Sequence, residues 1–209
     1  EEMLEMASLG AKVMQPASIQ EARLNRVEVD VRSTFSKKQG TNITKKKNIL
    51  GKNTIRGISF TKNDAKLTLV GVKDKPGVAA SIFKPLFENS INVDMVVQNI
   101  SARGKETDLT FTIKLEDLVK TRKLIENNKL IKFKDLIVNK NVSKVSIVGV
   151  GMVTTPGITF RMFKALAEKK INIEVISTSE IKISVLINKK NLKKSVEILH
   201  QEFKLSNSL

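Results

Sequence analysis

Strict apolar/polar alternation and three-to-four-residue apolar spacing take turns along this chain, and the turn-taking repeats. Residues 67–97 read LTLVGVKDKPGVAASIFKPLFENSINVDMVV, and residues 145–177 read VSIVGVGMVTTPGITFRMFKALAEKKINIEVIS. Each stretch runs from an apolar strand through Gly-Val, a polar loop and Pro-Gly into an amphipathic helix. Each then opens a second strand with Ile-Asn. Pro76-Gly77 recurs as Pro156-Gly157 and Ile91-Asn92 as Ile171-Asn172, both 80 positions on. The second copy has a longer loop before its Pro-Gly. Both copies continue alike, with a strand (DLTFTI at 108–113, IKISVLI at 181–187) and then a helical pattern (115–127 and 192–203). The first copy closes on a further strand at 130–138, which completes a βαββαβ unit. The expected class is therefore α+β, with two ferredoxin-like units, each an antiparallel sheet with helices on one face.

The second copy lacks its last strand, since the KLSNSL that follows its helix is not strand-like. The run IRGISFT at 55–61 has no other partner, and it is expected to supply that strand. This inserts the first unit (63–140) into the second (54–62 plus 141–209). Residues 1–50 stand outside the repeat. They carry one helix pattern over 1–10, a break at Gln15-Pro16, a second short helix over 17–23, an alternating VEVDVR at 27–32, and a lysine-rich loop or linker over 36–50. So small a piece cannot bury a core alone, and it reads as the end of a larger α/β domain.

Composition narrows the chemistry. The 209 residues are 41% hydrophobic and 28% charged, as in globular proteins. No apolar run is long enough to cross a membrane as a helix, so no membrane association is expected. The absence of cysteine removes disulfides, thiolate zinc sites and cysteine nucleophiles together, and His200 is the only histidine. The opening residues do not read as a signal peptide, so a cytoplasmic location is the expectation. A net charge of +16 raises the question of nucleic-acid binding. The lysines, however, are dispersed through the predicted elements, and the 4% aromatics are all phenylalanine, with no tyrosine or tryptophan to stack on bases. A solvated lysine-rich surface is the simpler account.

No catalytic constellation emerges. A phosphate loop of the Gly-x4-Gly-Lys type is missing, and Gly149-Val150-Gly151 lacks the third glycine of a dinucleotide site. Glu1-Glu2 and Glu116-Asp117 read as charges favoured at helix starts, and His200 lies inside a helix pattern. The two Pro-Gly loops are the better candidates. Each precedes a helix whose first-turn N–H groups and positive end suit a carboxylate, with a glycine allowing close approach. Either loop alone is explained as a plain turn. Both copies, however, also carry polar residues where the next strand starts: Asn92 and Asp94, then Asn172 and Glu174. In a βαββαβ unit that strand start is expected to lie near the same edge as the loop.

These strings resemble ACT domains, small modules that bind amino acids. VKDKPGVAASIF, INVDMVVQNIS and INIEVISTSEIKISVLI resemble the regulatory half of the bacterial aspartate kinase family. EMLEMASLGAKVMQPASIQEA and VDVRSTFS resemble the close of its amino-acid kinase domain. Gln15 departs from the histidine usual in that string, and the family's Lys-Phe-Gly-Gly-Thr-Ser motif does not occur. The resemblance implies feedback control by lysine and/or threonine of an enzyme that phosphorylates aspartate with ATP and Mg²⁺. It also implies no catalytic or metal-binding residue in this chain, a kinase domain in cis or on a separate subunit, and a homodimer through the first unit. It further implies a first effector pocket of Asp74, Gly77, Ala79, Gln98, Asn172 and Ile173. A second would comprise Asp94, Met152, Thr159, Ser179 and Glu180. A free-standing amino-acid-binding regulator and a basic nucleic-acid-binding α+β protein are the competing classes.

Overall fold

In the computed structural model, residues 1–44, 54–100, 106–152 and 154–205 are described. Helix α1 (Glu2–Ser8) is followed by α2 (Pro16–Leu24), which starts on a proline at a position where its missing N–H costs nothing. The alternating VEVDVR forms only the short β1 (Val29–Val31). β1 pairs with β2 (Thr41–Ile43), a strand inside the stretch expected to be all loop; the rest of that stretch, from residue 45, lies outside the described residues.

The repeat region forms β3 (Gly57–Lys73), α3 (Val78–Glu88), β4 (Val93–Ile100), β5 (Glu106–Lys114), α4 (Leu118–Glu126) and β6 (Asp135–Val148). It continues with α5 (Ile158–Glu168), β7 (Ile173–Thr178), β8 (Lys182–Asn188) and α6 (Leu192–Glu202). Short 3₁₀ turns lead into α4 and α6. All six strands belong to one antiparallel sheet in the order β4-β5-β3-β6-β8-β7.

Two expected strand boundaries do not exist. The runs at 55–61 and from 67 onward belong to one strand, β3. The strand expected at 130–138 begins only at Asp135, and it continues into the strand expected at 145 as β6. The first half of β3 pairs with the end of β6 (Ile58 with Ile147, Phe60 with Val145), and that part of β6 pairs with β8. The second half of β3 pairs with β5 and the start of β6. Each half of the sheet thus has ferredoxin-like strand order, and two long strands are shared between the halves.

Each half buries one face under its own helices. Leu67, Leu69, Phe111 and Ile113 pack with Ile82, Leu86 and Ile125 of α3 and α4. Val145, Ile147, Val185 and Ile187 pack with Met162, Leu166 and Leu199 of α5 and α6, and Ile55 joins them. The opposite faces meet each other. The sheet curls until its edge strands β4 and β7 approach, and Met95, Val142, Val175 and Leu186 form a small cluster between the halves. Polar pairs surround it. Lys66 Nζ meets Glu174 Oε2 at 2.6 Å, with both side chains 18% exposed, and the Asn139 amide donates to the same carboxylate. Lys144, 6% exposed, is bonded to Asp94. Lys66 precedes the first repeat strand as Lys144 precedes the second, and Asp94 and Glu174 occupy equivalent places in β4 and β7. The two ion pairs are therefore reciprocal. Asp64 lies beside them and accepts from the Thr61 hydroxyl. Burial pushes its carboxyl above the usual range; the Thr61 bond and the Lys144 charge pull the other way without cancelling it. Helix α1 covers the remaining part of this face in the second half, where Ser59 Oγ donates to the Met6 carbonyl at 3.1 Å.

Two candidate effector pockets

Each Pro-Gly loop lies at the mouth of a cavity. In both copies the glycine takes the left-handed conformation, φ 88° at Gly77 and 89° at Gly157, and serves as the N-cap of the following helix. No side chain caps either helix, so their first-turn N–H groups face the cavities without a side-chain acceptor. A Cβ at either glycine would meet nothing within 4 Å, so backbone conformation rather than crowding requires glycine there.

The first cavity is about 510 Å³. It brings together Asp74, Gly77, Ala79 and Gln98 from the expected set, with Thr107 of β5 opposite. The second, about 400 Å³, brings together Met152, Thr159, Ser179 and Glu180, with Thr155 and Thr178 added. Asp74 and Glu180 make no ion pair among the described residues, so each cavity is lined by an unpaired carboxylate and by uncapped helix amides; the first is also lined by Lys73 and Lys75, whereas Glu180 is the one charged side chain among the second's lining residues. That combination is complementary to a zwitterion: the carboxylate for an ammonium, the amides for a carboxylate.

Three expected residues lie elsewhere. Asn172 is exposed and Ile173 packs on the second core, while Asp94 is held by Lys144; none lines either cavity. Within this chain each cavity is lined by its own half alone, whereas Asn172 and Ile173 belong to the second half and Asp94 to the first; nor do the strand starts lie near the loop of their own half, because of the helix between. Eleven residues of α3 or α5 carry the chain about 16 Å along the sheet before the next strand starts. Strand starts at Val93 and Ile173 therefore lie at the far end from the loops, and only the strand ends, Gln98 and Thr178, return to them. Thr155 lies between the expected Met152 and Thr159, while Thr107 and Thr178 had no signal of their own beyond adjacency to lining positions.

Among the described residues no three His, Asp or Glu side chains are grouped to hold a metal ion, and no helix is long and apolar enough to cross a membrane.

Comparison with known proteins places this geometry. The sequence model of the ACT domain matches residues 67–128 and 145–203. The aspartate kinase of Pseudomonas putida is 44% identical over 207 residues, covering 98% of this chain and 50% of the relative. Among solved structures, an aspartokinase alpha and beta subunit structure aligns with a TM-score of 0.67 at 40% identity, over 72% of this chain and 99% of that one. The ligand-free regulatory subunit of aspartate kinase from Thermus thermophilus aligns with the same TM-score at 34% identity, over the same shares. The chain spans about half the length of the curated relatives it matches.

Proposed function

From the premise that this chain belongs to the aspartate kinase family and carries the tandem ACT domains of its regulatory region, we propose that it binds free amino acids, lysine and/or threonine, at its two Pro-Gly cavities. Through them it restrains ATP-dependent phosphorylation of aspartate by the complete enzyme. The observation that carries this reading is that uncapped helix amides and a carboxylate without an ion-pair partner line the same cavity in both copies. In the first cavity Asp74 receives the effector's ammonium, the backbone at Gly77 and Ala79 its carboxylate, and Gln98 a neutral hydroxyl such as that of threonine. In the second, Glu180 receives an ammonium, which suits lysine. ATP and Mg²⁺ belong to the kinase part of the complete enzyme. Control requires the effector to favour one state of that enzyme, and couplings of this kind typically amount to about 1–3 kcal/mol. The first half's edge strand β4 is where a second copy pairs, and exposed Asn172 is available to such a neighbour.

The nucleic-acid alternative needs an open sheet face, and here the helix-free faces cover one another. A free-standing regulator has no use for α1, which is docked on the second half. Calorimetric titration with lysine, threonine and both is the test. Loss of a charge-assisted hydrogen bond costs about 1.5–3 kcal/mol, so Asp74→Ala weakens threonine binding roughly ten-fold or more. Glu180→Ala does the same for lysine. If both variants bind both amino acids as the parent does, this assignment is wrong.

A further inference from the structure

The two cavities are alike in lining but not in what holds their walls. In the first half, the rim is secured from within. The Gly71 N–H donates to Asp108 Oδ1 at 2.9 Å, Lys134 pairs with Glu106, and the Lys134 N–H donates to the Val70 carbonyl. In the second half, the corresponding rim is secured by α1 and by the residue that leads into β3. Glu2 Oε1 accepts the Val150 N–H at 2.9 Å, and Val150 opens the short turn that carries pocket residue Met152. One turn along the same helix, Glu5 Oε1 meets Lys182 Nζ at 2.6 Å. The Lys182 carbonyl in turn accepts from the N–H of pocket residue Ser179. Thr54 Oγ1 lies 3.3 Å from Oγ1 of Thr155, also in the lining. Contact here is close enough to exclude a side chain at Gly149, where a Cβ would fall 2.1 Å from the Thr54 carbonyl, and Met6 packs directly over Gly57.

Two carboxylates on one face of α1 thus grip the two opposite walls of the second cavity, the turn at Val150–Met152 and the 178–182 turn. We propose that the second cavity is the one read directly by the leading segment. Occupancy there fixes the spacing of the two walls, and with it the docking of α1 through Glu2 and Glu5. The first cavity reaches α1 only through the second half. By linkage the effect runs both ways, so α1 docking sets the second cavity's affinity. This inference rests on the reading that the second cavity takes an amino acid.

The experiment is hydrogen exchange and calorimetry on the whole chain, comparing the parent with Glu2→Ala/Glu5→Ala, which removes both acceptors. Glu180→Ala and Asp74→Ala mark which cavity each ligand fills, with lysine and threonine as probes. The ligand whose binding depends on Glu180 is expected to slow exchange across 3–10 in the parent. In the double variant that protection disappears, and the ligand's Kd changes at least three-fold. The ligand that depends on Asp74, which reaches α1 only through the second half, is expected to change both readings less. Equal protection of 3–10 by both ligands, or none from a ligand that demonstrably protects 155–160, overturns the proposal. A ligand-free arm separates it from the effector assignment. Without any amino acid, the double variant is expected to exchange several-fold faster at 150–155 and 178–182 but not at 73–79. If neither amino acid binds, the effector reading fails, and this arm still decides the coupling. Unchanged walls, or both cavities loosened alike, overturn it.

Discussion

Replacing Lys66 by methionine removes the ammonium from the layer between the two halves while keeping most of the aliphatic stem. Glu174 is then left 18% exposed, with only the Asn139 amide at 3.2 and 3.3 Å to solvate it. Breaking a fully buried pair by taking one partner costs about 3–5 kcal/mol. The residual exposure and the remaining donor place this case nearer the value for one hydrogen bond to a charged group, about 2 kcal/mol. For a chain of this size that lowers Tm by about 4–8 °C. Removing the stranded charge as well, in Lys66→Met/Glu174→Met, is expected to recover much of the loss, because two apolar side chains replace a pair whose desolvation had offset most of its attraction. Urea denaturation of the parent, both single variants and the double variant closes the cycle, with a coupling of about 1–2 kcal/mol. A Lys66→Met variant within about 0.5 kcal/mol of the parent would refute the reasoning, since surface pairs behave that way. So would a double variant destabilised by the full sum of the singles.

Three further outcomes are expected. Gly77→Ala and Gly157→Ala each force an L-residue into the left-handed region with no steric clash, costing about 1–2 kcal/mol apiece; urea midpoints should show the two costs adding, since the sites lie in different halves. The raised pKa of Asp64 means that its ionised form weakens the fold, so stability falls as pH rises from the unfolded value near 3.8 through the higher folded one. Asp64→Asn should therefore melt above the parent near neutral pH, and the two should converge in acid; a variant less stable than the parent at pH 7 would contradict this. Light scattering at micromolar concentration should find a dimer, and a monomer alone would count against pairing through β4.

The helices and the repeat were legible because each half has a one-sided core, and a one-sided core imposes a period on the sequence. The shared strands were not. Between the two cores β3 runs through Lys62, Asn63 and Asp64, and β6 through Asn139, Lys140 and Asn141. Neither core reaches these residues, so the alternation lapses and polar side chains read as a turn. The loop halves of both cavities were visible in the Pro-Gly repeat, whereas Gln98, Ser179 and Glu180 came only with the resemblance to the family. Asp94, Asn172 and Ile173, implied by the family resemblance, line neither cavity of this chain, and the polar strand starts stand a helix length away from the loops. Lys66 and Lys144 resemble any other surface lysine in so basic a chain. Their one signal is that each stands immediately before a repeat strand, Leu67 or Val145.

That lapse in the pattern has a mechanical counterpart. The pairing of β3 with β6 shifts register between Thr61 and Asp64 and again between Asp64 and Lys66, the stretch where both strands pass from one half to the other. Irregular pairing bends strands and loosens the ladder locally, so relative tilt of the halves is concentrated there. The two reciprocal ion pairs lie beside this stretch and oppose the tilt. Each carboxylate sits on a strand that also walls a cavity: Asp94 four residues before Gln98 on β4, Glu174 four before Thr178 on β7. A strand is stiff along its length, so a wall displaced by a ligand pulls on a bond to the opposite half. Two ACT units that merely abutted could respond independently; two that share β3 and β6 and exchange ion pairs respond together.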